Sequence, residues 1–312
     1  MGVRFYLHFI ATGCTTLALI MASALAIAAP GTAPEGARPG TLQSLMVAGS
    51  RDVAPRQVKV WLPPGFDRSK RYAVLYLHDG QMLFGNEQTW NSKSWDIDRT
   101  LAALLEKEVI RDVIVVAIDN DPNRRHAEFF PDRALEFLHP PALRDAFVSQ
   151  ALGQRPAAKA YLDFIVNIVK PEVDTRYPTD PSRDATFIMG SSMGGLISLY
   201  ALCEYPQIFG AAASLSTHWI GSFERNGEIP RSLRDYLDRH LPPANAVRIY
   251  MDRGTKDLDA LYEDAQREVD SLMQRKGFTA PGFQSRIYPG AGHDEQAWRD
   301  RSAEPLRFLL AR

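Results

Sequence analysis

The fold of this chain is decided by residues 186–202, which read TFIMGSSMGGLISLYAL. The apolar run at 186–189 predicts a strand, and the apolar spacing that follows the glycines predicts a helix. Between them lies the motif G-x-S-x-G, at residues 190–194, with Gly195 directly after it. A strand, a sharp turn and a helix in this order place the central residue, Ser192, on a strained corner with its Oγ above the sheet edge. The segment therefore predicts a serine nucleophile carried by an α/β sheet.

Such a serine needs backbone N–H groups that stabilise a developing oxyanion. The first is predicted at Met193, where the helix begins and its dipole favours negative charge. The second is expected after an early strand, and the strand-like run at residues 72–77 continues into HDGQMLF. The Asp-Gly pair allows a tight turn there, so the N–H of Gln81 is the predicted second donor. We interpret His78 and Asp79 as part of this turn rather than as metal ligands.

A serine on this type of corner requires an acid and then a histidine later in the chain. Three histidines follow the serine: His218, His240 and His293. The acid is expected just after a late strand, which the alternating residues at 247–251 predict. His293 alone lies beyond that strand, in a glycine-rich loop that offers little apolar packing. We therefore predict that His293 is the general base.

The acid has three candidates in the segment that follows this strand: Asp252, Asp257 and Asp259. Asp252 lies beside the strand and is expected to cap the turn. Asp257 and Asp259 both lie in the loop that enters the next helix, and one of them is expected to be its N-cap. A G-x-x-D turn after the strand slightly favours Asp257, and the choice between the two stays open.

The 312 residues are 45% hydrophobic and 23% charged, an ordinary globular composition that supports one large core. The formal net charge of −1 gives no reason to expect nucleic acid or an anionic membrane as a partner. The sequence contains no H-E-x-x-H motif and no Cys/His cluster, and no Lys-Ser/Thr follows residues 190–195. We therefore expect no metal site, no phosphate-binding loop and no cofactor.

Residues 1–29 differ in composition from the rest of the chain. A basic residue precedes an apolar, alanine-rich stretch over about residues 10–29, which ends in small-x-small sites. This pattern predicts a signal peptide cleaved near residue 28 or 29. A transmembrane anchor is the alternative, but the stretch is short and is interrupted by threonine and glycine. We therefore expect a periplasmic or secreted protein with no stable membrane anchor after cleavage, in which Cys203 is a small core residue.

Residues 30–50 are predicted to form a flexible leader, and residues 51–312 a single domain without a large cap domain. Strand-like and helix-like segments alternate along this domain, which predicts an α/β fold with a mostly parallel sheet and helices on both faces. The strands are predicted at residues 57–62, 72–78, 113–118, 186–189, 211–215, 247–251 and 286–288. The helices are predicted at residues 97–108, 158–173, 193–204, 259–276 and 295–310. The first strands predict an antiparallel edge, and the irregular segments 119–141 and 217–245 are expected to wall the active site.

Together the motifs resemble the putative-esterase group of α/β-hydrolases, over residues 58–310. That group includes esterase D-type enzymes, feruloyl esterases, enterochelin-type siderophore esterases and the mycolyltransferase antigens. The resemblance is carried by LYLHDGQ at 75–81, RHAEF at 125–129, GSSMGGL at 190–196, DRGT at 252–255 and GHDE at 292–295, with Trp298 and Arg301. It implies the α/β-hydrolase fold, with Ser192 as nucleophile and His293 as base. It leaves the acid open, because many relatives carry it at the position of Asp257, whereas a subset with Leu-Asp-Ala favours Asp259.

The resemblance implies a serine esterase that forms an acyl-enzyme intermediate and hydrolyses a small-molecule or glycan ester. Candidate substrates are a siderophore ester and a hydroxycinnamoyl or acetyl ester of a polysaccharide. The alternative is an acyltransferase of the mycolyltransferase type with the same triad. A binding module without activity is disfavoured by the intact Ser192 and His293.

Three residues are candidates for substrate binding: Arg125, His218 and Trp219. Arg125 would hold an anionic group of the substrate, or would form a structural ion pair with Glu128. His218 and Trp219 follow the strand predicted at 211–215, on the side of the sheet that bears the nucleophile, and an aromatic ring there would stack on a substrate ring or pack as a wall. Two other tryptophans are expected to be core residues: Trp90 and Trp95.

Overall fold

Eight strands form one sheet in the computed structural model, which describes residues 38–86, 89–153 and 155–312. In chain order the strands are β1 (Thr41–Val47), β2 (Arg56–Leu62), β3 (Ala73–Leu77), β4 (Val113–Ile118), β5 (Thr186–Ser191), β6 (Ala211–Leu215), β7 (Arg248–Arg253) and β8 (Phe283–Ile287). Their order across the sheet is β1-β2-β4-β3-β5-β6-β7-β8. The predicted signal peptide and residues 30–37 of the predicted leader lie outside the described residues.

The sheet is antiparallel at one edge and parallel elsewhere. β1 pairs antiparallel with β2, and β2 pairs antiparallel with β4. Every pairing from β4 through β3, β5, β6 and β7 to β8 is parallel. The central strands β3, β4, β5 and β6 are buried along their whole length, as expected of parallel strands covered on both faces. This arrangement confirms the predicted α/β fold.

Helices cover both faces of the sheet. They are α1 (Ile97–Glu106), α2 (Arg125–Phe129), α3 (Pro141–Phe147), α4 (Ala158–Phe164), α5 (Lys170–Arg176), α6 (Met193–Glu204), α7 (Glu228–His240), α8 (Glu263–Arg275), α9 (Glu295–Arg301) and α10 (Ala303–Leu310). Alternate residues of β3 belong to two separate core clusters: Val74 and Tyr76 pack with α4, α6, α7 and α8, whereas Leu75 and Leu77 pack with α1 and α10. None of the described helices is both long and apolar enough to cross a membrane.

Three predicted irregular segments contain regular structure, and one of them, residues 119–141, contains α2. The prediction of a flexible leader over residues 30–50 is wrong for residues 41–47, which form β1. This strand pairs with β2 from Thr41 opposite Leu62 to Val47 opposite Arg56. Most side chains of this edge strand are exposed, so it carries no continuous apolar signal. The irregular segment predicted over residues 217–245 is wrong for α7, a thirteen-residue helix that is rich in charged residues and buries one narrow face.

Candidate active site

Ser192 occupies a strained turn between β5 and α6. Its backbone dihedrals, φ 57° and ψ −123°, lie where a non-glycine residue costs about 1–3 kcal/mol. The turn is held from the neighbouring strand, because the Ser192 N–H donates to the Leu215 carbonyl at 2.8 Å. A Cβ on Gly190 would lie 2.7 Å from the Gly194 backbone, and a Cβ on Gly195 would overlap the Ser214 hydroxyl. The two glycines therefore permit the close approach of strand and helix that the motif predicts.

His293 lies between Ser192 and one of the two candidate acids. Its Nε2 is 2.9 Å from Ser192 Oγ, and its Nδ1 is 2.5 Å from Asp259 Oδ1. Asp259 is fully buried, whereas Asp257 is exposed and its carboxylate lies against Gly292. The slight preference for Asp257 is therefore corrected in favour of Asp259. Asp257 begins a 3-10 turn, Asp257–Leu261, and the position two residues later is the one that this turn directs inward.

A buried network holds the second carboxylate oxygen of Asp259. Its Oδ2 accepts hydrogen bonds from the Ser216 hydroxyl, at 2.6 Å, and from the Gly254 N–H. Ser216 Oγ in turn accepts from Trp298 Nε1 at 3.0 Å and from Arg301 Nη2 at 2.7 Å. The Ser216 hydroxyl thus donates one hydrogen bond and accepts two, which uses its proton and both lone pairs. These contacts fix the orientation of the Asp259 carboxylate on the side that faces away from His293.

Asp252 is not in contact with His293 but belongs to the same buried region. It forms an ion pair with Arg301 at 3.1 Å, and its Oδ1 also accepts from the Ser216 N–H at 3.2 Å. Burial raises the pKa of the Asp252 carboxyl, although the Arg301 guanidinium opposes the rise. The expectation that Asp252 caps the turn after its strand is wrong, because its partners are Ser216, Tyr250 and Arg301, whereas the Gly254 N–H of that turn donates to Asp259.

The two predicted oxyanion donors lie at the carboxyl ends of neighbouring parallel strands. Met193 is the first residue of α6 and lines the cavity beside Ser192. Gln81 lies in a 3-10 turn, Gly80–Met82, directly after β3, which pairs with β5. The Gln81 side chain is engaged elsewhere, since its Oε1 accepts from the Asn120 N–H at 3.1 Å. A donor role at Gln81 would therefore use its backbone N–H, as predicted.

A cavity of about 250 Å³ opens around Ser192. Its walls come from the turn after β3, the segment before α1, and the segments that carry Arg125, His218 and His293. Seven aromatic or imidazole side chains besides His293 line it: His78, Trp90, Trp95, His126, His218, Phe223 and Trp298. The cavity therefore has room for a substituent of moderate size beside the serine. The described residues contain no group of three or more His, Cys, Asp or Glu that could hold a metal ion.

Arg125 lines the cavity but is already paired. Its Nε and Nη2 donate to the two carboxylate oxygens of Asp79, each at 2.7 Å. The alternative ion pair with Glu128 is wrong, because Glu128 is fully buried and accepts two hydrogen bonds from Arg56, at 2.8 and 2.9 Å. Asp79 also accepts from Asn120, so the Asp-Gly turn fixes the Arg125 side chain in the wall.

The two aromatic candidates after β6 have different positions. His218 lines the cavity, and its Nδ1 lies 2.6 Å from the Tyr262 hydroxyl. Burial lowers the pKa of His218 well below its usual value, which keeps the ring neutral. Trp219 does not line the cavity: it is buried in the core and donates from Nε1 to Gln266 at 2.8 Å. The expectation that Trp219 stacks on a substrate ring is therefore wrong, and the residue packs in the core.

Sequence reasoning missed several residues of the site. Trp90 was expected in the core but is 65% exposed at the rim of the cavity, whereas Trp95 is buried and forms part of the wall. Ser216 and Tyr262 carry no motif, because their roles arise from contacts with residues distant in sequence. Glu295 lines the cavity two residues after His293, inside the GHDE motif that carried the family resemblance.

Comparison with known proteins identifies the family of this chain. A family model described as "Putative esterase" matches residues 53–309. The chain belongs to this esterase family. Membership makes it a carboxylic ester hydrolase, as the sequence predicted. YbbA of Bacillus subtilis strain 168, an uncharacterized protein, is 23% identical to this esterase over 266 residues, which cover 82% of this chain and 93% of YbbA.

Solved structures of esterases share the fold. The ferric enterobactin esterase of Salmonella typhimurium superposes with a TM-score of 0.61 at 21% identity, over 87% of this chain. This esterase corresponds to 60% of the Salmonella chain. A ferulic acid esterase superposes with a TM-score of 0.59 at 18% identity, over 87% of this chain and 98% of that one. At these identities the likeness establishes the fold.

Proposed function

We propose that this esterase hydrolyses acyl esters through Ser192, His293 and Asp259, with an acyl-enzyme intermediate. One observation carries the proposal: a continuous hydrogen-bonded chain runs from Ser192 Oγ through the His293 ring to the buried Asp259 carboxylate. Asp259 holds the imidazole with its proton on Nδ1, so that Nε2 is free to accept the serine proton. The strained backbone of Ser192 presents the hydroxyl to the cavity.

The reaction follows from these positions. His293 Nε2 takes the proton of Ser192 as Oγ attacks the ester carbonyl, and the N–H groups of Met193 and Gln81 stabilise the oxyanion. Collapse of the tetrahedral intermediate expels the alcohol, which receives the proton from His293, and leaves the acyl group on Ser192. Water then attacks the acyl-enzyme with His293 again as the base, and the acid is released. The loss of one oxyanion donor is expected to slow the reaction by about 10²–10³-fold.

The substrate class that we propose is an ester of moderate size, either a siderophore ester or a hydroxycinnamoyl or acetyl ester of a polysaccharide. Two solved relatives of the same fold support this choice, since one is named a ferric enterobactin esterase and the other a ferulic acid esterase. A cavity of about 250 Å³ lined by aromatic side chains is compatible with an aryl or sugar substituent. We also propose export to the periplasm or the medium, which rests on the composition of residues 1–29.

The test is hydrolysis of p-nitrophenyl acetate and butyrate by the purified protein. We expect wild-type activity and its near-complete loss in Ser192→Ala, because the covalent intermediate can no longer form. Ser198→Ala is the matched control: this buried serine of α6 hydrogen bonds to the Gly194 carbonyl and does not line the cavity. Equal rates for wild type and Ser192→Ala would contradict the proposal. Addition of an alcohol acceptor separates an acyltransferase, which would form a new ester faster than the free acid.

A further inference from the structure

The cavity contains a carboxylate that the proposed reaction does not use. Glu295 is the first residue of α9, is 2% exposed and lines the cavity. Its Oε2 accepts a hydrogen bond from Asn91 Nδ2 at 2.5 Å. Its Oε1 accepts no hydrogen bond from any residue in the described part of the chain. Oε1 therefore keeps contact with the cavity, where the hydrogen-bond donor of a ligand can reach it.

The cations around Glu295 are already neutralised. Two of them are close enough to interact with its charge, Arg125 and Lys93. Arg125 donates two hydrogen bonds to Asp79, and Lys93 forms an ion pair with Asp294 at 2.6 Å near the surface. Glu295 therefore leaves this side of the cavity with one surplus negative charge, in surroundings where charge is poorly screened.

The cavity that Glu295 lines also has aromatic walls. Trp90, Trp95 and Trp298 line the same cavity, and the rings of Trp95 and Trp298 lie 5.8 Å apart. Indole faces attract cations and stack against the C–H faces of polar groups. A negative charge in a cavity that is also lined by indole rings suits a group that donates hydrogen bonds and is neutral or positive.

We propose that Glu295 determines substrate specificity by binding an ammonium or hydroxyl group of the ester, away from the bond that is cleaved. The inference rests on the proposed function, because the same cavity must accept the ester that Ser192 attacks. It narrows the substrate class: an ester that carries free hydroxyl groups, such as an acylated polysaccharide, fits this wall, whereas an ester with an anionic group is repelled by it.

The experiment compares methyl esters that differ at one end only. Their acids share a chain of five methylene groups that ends in an ammonium, a hydroxyl, a methyl or a carboxylate group. A second set carries the same end groups on the alcohol side of an acetate ester, so that either side of the cleaved bond is tested. In at least one set we expect kcat/KM to rise on the order of tenfold or more from methyl to ammonium, and to be lowest for the carboxylate.

Glu295→Gln then isolates the charge. We expect the ratio of kcat/KM between the ammonium and methyl esters to fall towards one, while the hydroxyl ester keeps part of its advantage because an amide also accepts a hydrogen bond. The quantity compared between variants is this ratio of kcat/KM values, each measured within one variant. A general loss of activity or of folded protein lowers both values equally and leaves the ratio unchanged. Glu304→Gln is the control, because Glu304 pairs with Arg286 and Arg307 outside this cavity and should leave the ratio unchanged.

Three outcomes overturn the inference. A wild-type preference for the carboxylate ester, equal rates for all four end groups in both sets, or an unchanged ratio in Glu295→Gln would each do so. If the methyl ester is hydrolysed in a Ser192-dependent manner and the end group has no effect, the inference fails and the proposed function stands. If no ester in either set is hydrolysed in a Ser192-dependent manner, both fail.

Discussion

Replacement of Asp259 by asparagine should remove most of the activity of this esterase, although the side chain keeps its shape. The Asp259 carboxylate lies 2.5 Å from His293 Nδ1, and in the proposed mechanism it stabilises the imidazolium that forms when Ser192 loses its proton. With about 4 Å between the centres of charge and an effective dielectric constant of about 20, the attraction amounts to about 4 kcal/mol. Its loss corresponds to about a 10³-fold decrease in rate.

The hydrogen bonds behind Asp259 add a second effect. Ser216 and Gly254 both donate to Oδ2, so an asparagine would turn its carbonyl oxygen towards them and present its NH₂ group to His293. Nδ1 would then have to accept a hydrogen bond, which places the ring proton on Nε2. A histidine in that tautomer cannot take the proton of Ser192. We therefore expect the total loss to lie between about 10³ and 10⁴-fold in kcat.

The assay is steady-state hydrolysis of p-nitrophenyl butyrate, with Asp257→Asn as the matched control. Asp257 is exposed and makes no hydrogen bond to His293, so its replacement should change kcat by less than about threefold. Circular dichroism should show the same folded state for both variants. A larger loss in Asp257→Asn than in Asp259→Asn, or a loss below tenfold in Asp259→Asn, would refute the reasoning.

Two further predictions concern the surroundings of the site. Ser216→Ala removes the donor to Asp259 and leaves the buried Trp298 N–H without its acceptor, so we expect about 1–3 kcal/mol less stability and a lower kcat at similar KM; an unchanged kcat would contradict this. Burial lowers the pKa of His78 to about 3, below the ordinary 6.5 of an unfolded chain, so its contribution to stability is complete above pH 6.5 and is lost as the pH falls towards 3. Urea unfolding should therefore show about 2 kcal/mol less stability at pH 5 than at pH 7 from this residue, and His78→Gln should lose that part of the difference. An identical pH dependence in the variant would count against the buried neutral histidine.

The central fold and two residues of the candidate site could be predicted because they depend on local patterns and chain order. The strand, the glycine-rich turn and the helix around Ser192 are set by neighbouring residues, and the bounds of α6 match the prediction. His293 could be predicted from its position in the chain alone, because the base must follow both the nucleophilic serine and the late strand, and few histidines do so. The edge strand β1 was not predicted because its backbone hydrogen bonds to β2 require no continuous run of apolar side chains, and most of its side chains are exposed.

The acid was harder to predict for a physical reason. Asp257 and Asp259 are two residues apart on one short turn, so local sequence gives them almost equal access to the histidine. The choice between them is made by donors from elsewhere in the chain, since Ser216 and Gly254 stabilise a charge at Asp259 only. Without these donors, the free-energy cost of removing a carboxylate from water would make a buried, charged aspartate at this position unfavourable.

The ion pairs of the site also depend on residues that are distant in sequence. For this reason the net charge of the cavity could not be predicted from the sequence. The sequence analysis gave an ion pair between Arg125 and Glu128 as one alternative, and on α2 such a local contact would be worth a few tenths of a kcal/mol. Glu128 is fully buried and therefore takes the stronger two-bond partner, Arg56, from β2. Arg125 pairs instead with Asp79, and this ion pair neutralises the positive charge that was predicted to bind an anionic substrate. Because that charge is neutralised, the carboxylate of Glu295 sets the sign of the cavity, and the structure favours the opposite kind of substrate from the one that an unpaired Arg125 would select.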